Sequence, residues 1–111
     1  VIKDYKKKAA NRGFTWSLTS EQCYELFKAP CFYCGIEPSN KGEIRPLHDE
    51  PLNYSGIDRI DNTQGYIIDN VVSCCSKCNW GKRDFTTDVF LRWIEDVYLH
   101  SVKGKKDART N

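Results

Sequence analysis

Two Cys-x-x-Cys pairs, Cys31-Phe32-Tyr33-Cys34 and Cys75-Ser76-Lys77-Cys78, constrain this 111-residue chain more than any other feature, because they require segments forty residues apart to meet. Four thiolates suit the tetrahedral, borderline-soft preference of zinc, and a closed shell of four sulfurs leaves no position for water, so the expected site is structural. The six cysteines could instead pair as disulfides, but their placement in two knuckles favours reduced thiolates on a metal and a reducing compartment. A zinc ribbon separates its knuckles by roughly 15 to 20 residues. The longer gap here implies a whole structural insert between them. Cys74 adjoins the second pair and allows a Cys74-x3-Cys78 reading; with the commoner x2 knuckle, Cys74 becomes a buried strand residue.

The length suits one domain with a single core and a metal staple. Net charge is only +2, from 17 basic and 15 acidic side chains, and zinc on four thiolates would bring it to 0. Its distribution says more. Lys3, Lys6, Lys7, Lys8 and Arg12 open the chain, Lys103, Lys105, Lys106 and Arg109 close it, and the stretch from Glu37 to Asp69 is mostly acidic. Such ends suit a polyanion and such a middle suits a cation, although short lysine runs are as often solvated helix faces. No apolar run reaches the roughly 20 residues needed to cross a bilayer. An intracellular, cytoplasmic protein with no membrane partner is therefore expected, and a start at Val1 suits an excised or processed piece.

Residues Ile2 to Arg12 read as a short basic helix closed by Gly13, with Ile2, Tyr5 and Ala9 on one face. Phe14, Trp16 and Leu18 alternate with polar residues in a short extended piece. Thr19 and Gln22 form a capping box for a helix from Ser20 to Phe27, whose apolar face is Cys23, Leu26 and Phe27. From Ile36 to Ser55, three prolines and no clear period indicate a long loop able to carry a short hairpin. Ile57 to Ile60 and Val71 to Cys74 are candidate strands, with a turn at Asn62 to Gly65 between them. A short helix, Ser76 to Asp84, should start inside the second Cys pair. Thr87 is the expected N-cap of a last helix running to about His100, and its stripe of Val89, Phe90, Trp93, Ile94, Val97 and Tyr98 is assigned to the core. His100 is read as a partner of the helix dipole.

The chemistry is concentrated between Gly56 and Asp84. The order Asp58-Arg59, Gly65, Asn70, Cys75-Ser-Lys-Cys78-Asn79 and Lys82 resembles the HNH, or ββα-metal, nucleases, and among them a zinc-stapled, PacI-like and phage-type subset. The resemblance covers residues 56 to 84, with Cys31 to Gly35 as the first knuckle. It implies an α+β domain spanning 1–111: a ββα-metal (HNH, His-Me finger) core at 31–85 with a structural zinc on Cys31, Cys34, Cys75 and Cys78, a basic helical segment at 1–30, a C-terminal helix at 86–100 and a tail. It also implies that Asp58 and Asn79 hold one Mg²⁺ or Mn²⁺, hard cations that take oxygen donors and keep several waters. Asn70 would brace the loop through backbone hydrogen bonds, and Lys82 would meet a phosphate.

The departure from the family is at residue 59, where most members carry a histidine base. A guanidinium stays protonated at neutral pH, so Arg59 cannot accept a proton from water. It can clamp the scissile phosphate and offset charge in the transition state. By resemblance to the subset that shares this arginine, Tyr66 becomes the first candidate base, followed by Asp61, His48 and a water activated by the metal. A phenol titrates near ~10 and would need a neighbouring cation to lower it. Tyr66 could equally pack beneath the loop, and Asp61 with Asn62 could merely shape the turn.

The resulting expectation is a DNA endonuclease of restriction, homing or phage type, hydrolysing phosphodiester bonds in double-stranded DNA to 3′-hydroxyl and 5′-phosphate ends. Lys6, Lys7, Lys8, Arg12 and Arg83 would grip the backbone. Trp80 would either stack on DNA or enter the core. A homodimer would suit symmetric cleavage of both strands, and a monomer would nick. The rival reading, encouraged by the missing histidine, is a zinc-knuckle nucleic-acid-binding module without catalysis.

Overall fold

A computed structural model describes residues 2–42 and 52–104. Helix α1 (Ile2–Asn11) is followed by Gly13 at a φ of +75°, a conformation that side chains with a Cβ rarely adopt. Helix α2 (Ser20–Lys28) starts at the expected capping box. Thr19 Oγ1 accepts from the Gln22 amide at 3.1 Å, and Gln22 Oε1 accepts from the Thr19 amide at 2.9 Å. Strands β1 (Asn40–Gly42) and β2 (Leu52–Tyr54) pair antiparallel, so the long loop does carry a hairpin. His48 lies outside the described residues, as do Lys105, Lys106 and Arg109.

A second antiparallel pair frames the site. Strand β3 (Gly56–Arg59) runs against β4 (Val71–Cys74), with Gly56 opposite Cys74 and Arg59 opposite Val71. A 3-10 turn at Ile68–Asn70 leads into β4, and helix α3 (Ser76–Lys82) follows it, ending two residues earlier than the sequence pattern suggests. Helix α4 (Thr87–Val97) continues into a π-turned stretch, Tyr98–Lys103.

Leu18, Cys23, Phe27, Ile57 and Val71 form the buried core, walled by Tyr5, Trp16, Tyr54 and Tyr66. The Phe27 ring lies 5.7 Å from that of Tyr54 and 6.4 Å from those of Tyr5 and Tyr24. Burying a side chain of this size stabilises by roughly 1.5 to 3 kcal/mol. The piece from Phe14 to Leu18 makes no full strand, but it pairs with the loop before β4. The Tyr66 amide donates to the Thr15 carbonyl at 2.7 Å, and the Ser17 amide to the Tyr66 carbonyl at 2.9 Å. Gly65 permits this approach, since a Cβ there would stand 2.6 Å from the Thr15 oxygen.

Helix α4 departs from its expected role. Its N-cap is Thr86, whose Oγ1 accepts from the Val89 amide at 3.4 Å, while Thr87 is buried inside the first turn. Of the six stripe residues assigned to the core, only Phe90 is buried, at 3 % exposure; Trp93 is 52 % exposed, and Val89, Ile94, Val97 and Tyr98 are exposed with it. The cause is geometric. Phe90 docks edge-on to Tyr33 and over Gly81, and beyond that turn α4 packs extensively, among the described residues, only against its own continuation. Apolar periodicity reports which face seeks cover and carries no information on whether the rest of the chain is wide enough to supply it. No helix among the described residues is long and apolar enough to cross a membrane.

Candidate active site

The four expected zinc ligands converge. The sulfurs of Cys31, Cys34, Cys75 and Cys78 all lie within 4.8 Å of one another, and those of Cys34 and Cys75 are 3.7 Å apart. A tetrahedral shell with Zn–S near 2.3 Å would set sulfurs about 3.8 Å apart, so the donor set fits zinc. All six cysteines are free thiols, and Cys23 and Cys74 are buried and not among the four, Cys74 lying in β4 beside Cys75. The first knuckle is tied to β4 by the Phe32 amide donating to the Ser73 carbonyl at 2.8 Å. Cys75 caps α3, its sulfur accepting from the Cys78 amide at 3.4 Å. Burial opposes ionisation of Cys31, yet hydrogen bonds from the backbone of Cys34, Cys75 and Tyr33 bring its thiol down to about 6. Burial, and then the sulfur neighbours, push Cys78 the other way. Without a cation, crowded sulfurs favour few thiolates, and a metal removes that restriction.

Alternation along β3 sends Ile57 and Arg59 to one face and Asp58 to the other. Asp58 is 7 % exposed and has two protein partners. The Tyr33 hydroxyl donates to Oδ2 at 2.7 Å, and the Lys82 ammonium lies 3.2 Å from Oδ2 and 3.4 Å from Oδ1. Lys82 is only 1 % exposed and also donates to the Arg59 carbonyl at 2.8 Å. It is therefore not held out toward a phosphate as the resemblance implied. A buried ammonium needs a partner, and Asp58 is the partner at hand. Burial, followed by the carboxylate it bonds, holds the Tyr33 phenol above its ordinary value, with the Thr87 contact working against both. Tyr33 was not singled out from the sequence, and Thr87 only as a helix cap; the position of Tyr33 inside the first knuckle was the available signal.

The opposite face carries the loop. Arg59 Nη1 donates to the carbonyls of Asn62 at 2.7 Å and Gln64 at 3.0 Å, and the guanidinium sits 3.8 Å over the Phe14 ring and 5.4 Å from the Tyr66 centroid. Asn70 is buried and spans the same loop: its Oδ1 accepts from the Asp61 amide at 2.9 Å, and its Nδ2 donates to the carbonyls of Asp61 at 3.0 Å and Gly65 at 2.9 Å. Asp61 shapes the turn through Oδ1, which accepts from the Thr63 amide at 2.9 Å and hydroxyl at 2.6 Å. Those bonds hold its carboxyl below the ordinary value, which makes Asp61 a poor proton acceptor.

An open groove of about 890 Å³ runs past these residues. Asp58, Arg59 and Tyr66 reach it from the sheet and loop; Asn79 and Trp80 from α3 and Arg83 from its C-cap; Asp4, Lys8 and Asn11 from α1 and Arg12 from the residue after it. Lys6 and Lys7 are exposed on α1 but do not line it. Trp80 is 82 % exposed, which excludes a core role. Arg83 closes α3 at a φ of +52°, a strained conformation for a residue with a Cβ. The groove thus brings together one carboxylate, one carboxamide, four basic side chains and two aromatic rings of those the sequence singled out. Oxygen donors from Asp58 and Asn79, both lining the groove, are of the kind a hard divalent cation takes, and Asp58 Oδ1, whose one protein partner is the more distant ammonium contact, has capacity to spare.

Comparison with solved structures bears on the fold that carries these residues. The rare-cutting HNH restriction endonuclease PacI superposes with a TM-score of 0.59 at 21 % identity, covering 97 % of this chain and 78 % of that one. This is a mixed helix and strand domain with an HNH-like fold and a cluster of four cysteines. The HNH-like fold extends beyond the Gly56 to Asp84 stretch to almost the whole chain. Uncharacterized protein R423 of Acanthamoeba polyphaga mimivirus is 31 % identical over 104 residues, or 93 % of this chain. The chain spans 18 % of that relative's length. No protein-family model matches the chain.

Proposed function

We propose that this protein is a metal-dependent DNA endonuclease that hydrolyses phosphodiester bonds in the groove. The observation that carries the proposal is a groove lined together by Asp58, Arg59, Asn79 and the basic side chains Lys8 and Arg12, on an HNH-like fold. Mg²⁺ or Mn²⁺ bound by Asp58 and Asn79 would supply Lewis acidity toward a phosphate oxygen and the leaving oxygen. Lys82, paired beneath Asp58, holds that carboxylate in its orientation. Arg59 has N–H groups beyond those used on the loop carbonyls, and these meet the phosphate as negative charge builds. Tyr66, on the groove beside Arg59, would in its phenolate form accept the proton of the attacking water and become the neutral phenol. Lys8, Arg12 and Arg83 hold the flanking backbone through salt-sensitive contacts, and the exposed Trp80 ring stacks on a base. Asn70 serves the site indirectly by fixing the loop that carries Tyr66.

Incubation of supercoiled plasmid with Mg²⁺ or Mn²⁺ tests this reading. Wild type should nick in a metal-dependent way, and Asn79→Ala should lose most of that activity. Equal nicking by the two proteins would remove Asn79 from the metal site. One observation favours a second reading, a zinc-held nucleic-acid-binding module without catalysis: the Lys82 ammonium already neutralises Asp58. That reading expects salt-sensitive DNA binding with no metal-dependent nicking.

A further inference from the structure

The zinc knuckle and the groove are joined by one side chain. Tyr33 lies between the ligands Cys31 and Cys34, and its hydroxyl reaches Asp58 Oδ2 at 2.7 Å. The same oxygen is 2.8 Å from Thr87 Oγ1. A phenol has one proton, and with that proton on the carboxylate, Thr87 must be the donor to Tyr33. The chain of donors therefore runs from Thr87, at the start of α4, through Tyr33 to Asp58. We infer that Tyr33 is a positioning residue for the divalent cation at Asp58, so that the cysteine knuckle sets how well the groove binds metal.

The geometry supports this in three ways. Tyr33 and Lys82 both engage Oδ2, which fixes the carboxylate rotation and leaves Oδ1 as the oxygen offered to the groove. Tyr33 is itself held from several sides: its ring meets Phe90 edge-on at 5.4 Å, and its knuckle is closed by the Gly35 amide donating to the Cys31 carbonyl at 2.9 Å. The knuckle is also bonded to β4, the strand paired with the one that carries Asp58. A ligand carboxylate held by an outer hydrogen bond from a rigid element loses much of its metal affinity when that bond is removed.

This inference rests on the nuclease reading and is tested by a binding measurement. Mn²⁺ affinity is measured by calorimetry on the zinc-loaded full chain for wild type, Tyr33→Phe, Thr87→Val and Asp58→Asn, with zinc content recorded for each. Tyr33→Phe keeps the ring against Phe90 and removes only the hydroxyl. We expect Mn²⁺ binding roughly tenfold weaker, zinc content unchanged, and plasmid nicking that needs correspondingly more Mn²⁺ but recovers its maximal rate at saturation. Thr87→Val should shift affinity in the same direction by less, and it decides the matter if Tyr33→Phe loses zinc. Mn²⁺ binding that requires Asp58 but is unchanged in Tyr33→Phe and Thr87→Val overturns the inference and leaves the nuclease reading standing. Absence of any Asp58-dependent Mn²⁺ binding in wild type overturns both.

Discussion

The cysteine cluster and the groove are neighbouring sites built on the same strand pair and helix, yet they are opposite in kind. The cluster is of the closed kind: four sulfurs within 4.8 Å of one another could supply a full tetrahedral shell and would leave nothing for a substrate. The groove offers an oxygen of Asp58 and the amide of Asn79 on a wall open to solvent, so most of any cation's shell must come from water or phosphate. A closed shell returns its binding energy as fold stability. An open one keeps it for chemistry, and substitutions at the two should therefore separate stability from activity.

The largest effect is expected at the cluster. Cys75→Ser should destabilise the fold by at least about 3 kcal/mol, lowering the thermal midpoint by roughly 15 °C. A midpoint within a few degrees of wild type would mean the cluster is not the staple. Acid should do the same reversibly. Hydrogen bonds hold the Cys31 thiol below its ordinary value, so its thiolate contributes at high pH and is lost as pH falls. Protons compete with zinc for all four sulfurs, and a zinc-release indicator should show retention at neutral pH and release only on acidification. Release already at neutral pH would contradict a tightly held thiolate shell.

At the groove the expected change is in rate. Tyr66→Phe should slow cleavage by roughly 10²- to 10⁴-fold while DNA binding and thermal midpoint stay put. Near-normal cleavage would leave Tyr66 only its packing role against Trp16, whose ring centroid is 5.1 Å away. Asp58 crosses the divide, because its removal strands a buried ammonium. Asp58→Ala should cost roughly 3 to 5 kcal/mol of stability as well as activity, and adding Lys82→Met should restore stability alone. The smallest effect is expected on α4, where Trp93→Ser should change stability by less than about 0.5 kcal/mol because the ring is already half in water.

Much of this division was legible in the sequence, and unevenly so. The knuckle spacing alone brought Cys31, Cys34, Cys75 and Cys78 together, since a metal needs several sulfurs at one point. The capping box at Thr19 and Gln22 and the two strands were equally plain, because their causes are local. Lys82 was misplaced because helix periodicity gives a face without saying whether a phosphate or a carboxylate lies opposite. Tyr33 was passed over because its partners are 25 and 54 residues away. The α4 stripe was misread for a related reason: a helix cannot know from its own residues how far the domain beneath it extends.

The most direct test of the central claim is metal-dependent nicking of supercoiled plasmid by zinc-loaded wild type beside the Asp58→Asn, Lys82→Met double variant, whose buried pair is neutralised together. We expect wild type to nick only when Mg²⁺ or Mn²⁺ is added, and the double variant, equally folded and equally bound to DNA, to remain inactive by about 10²-fold or more. Equal nicking by both proteins, or none by wild type with either cation, would contradict the assignment of Asp58 as the metal ligand of a nuclease.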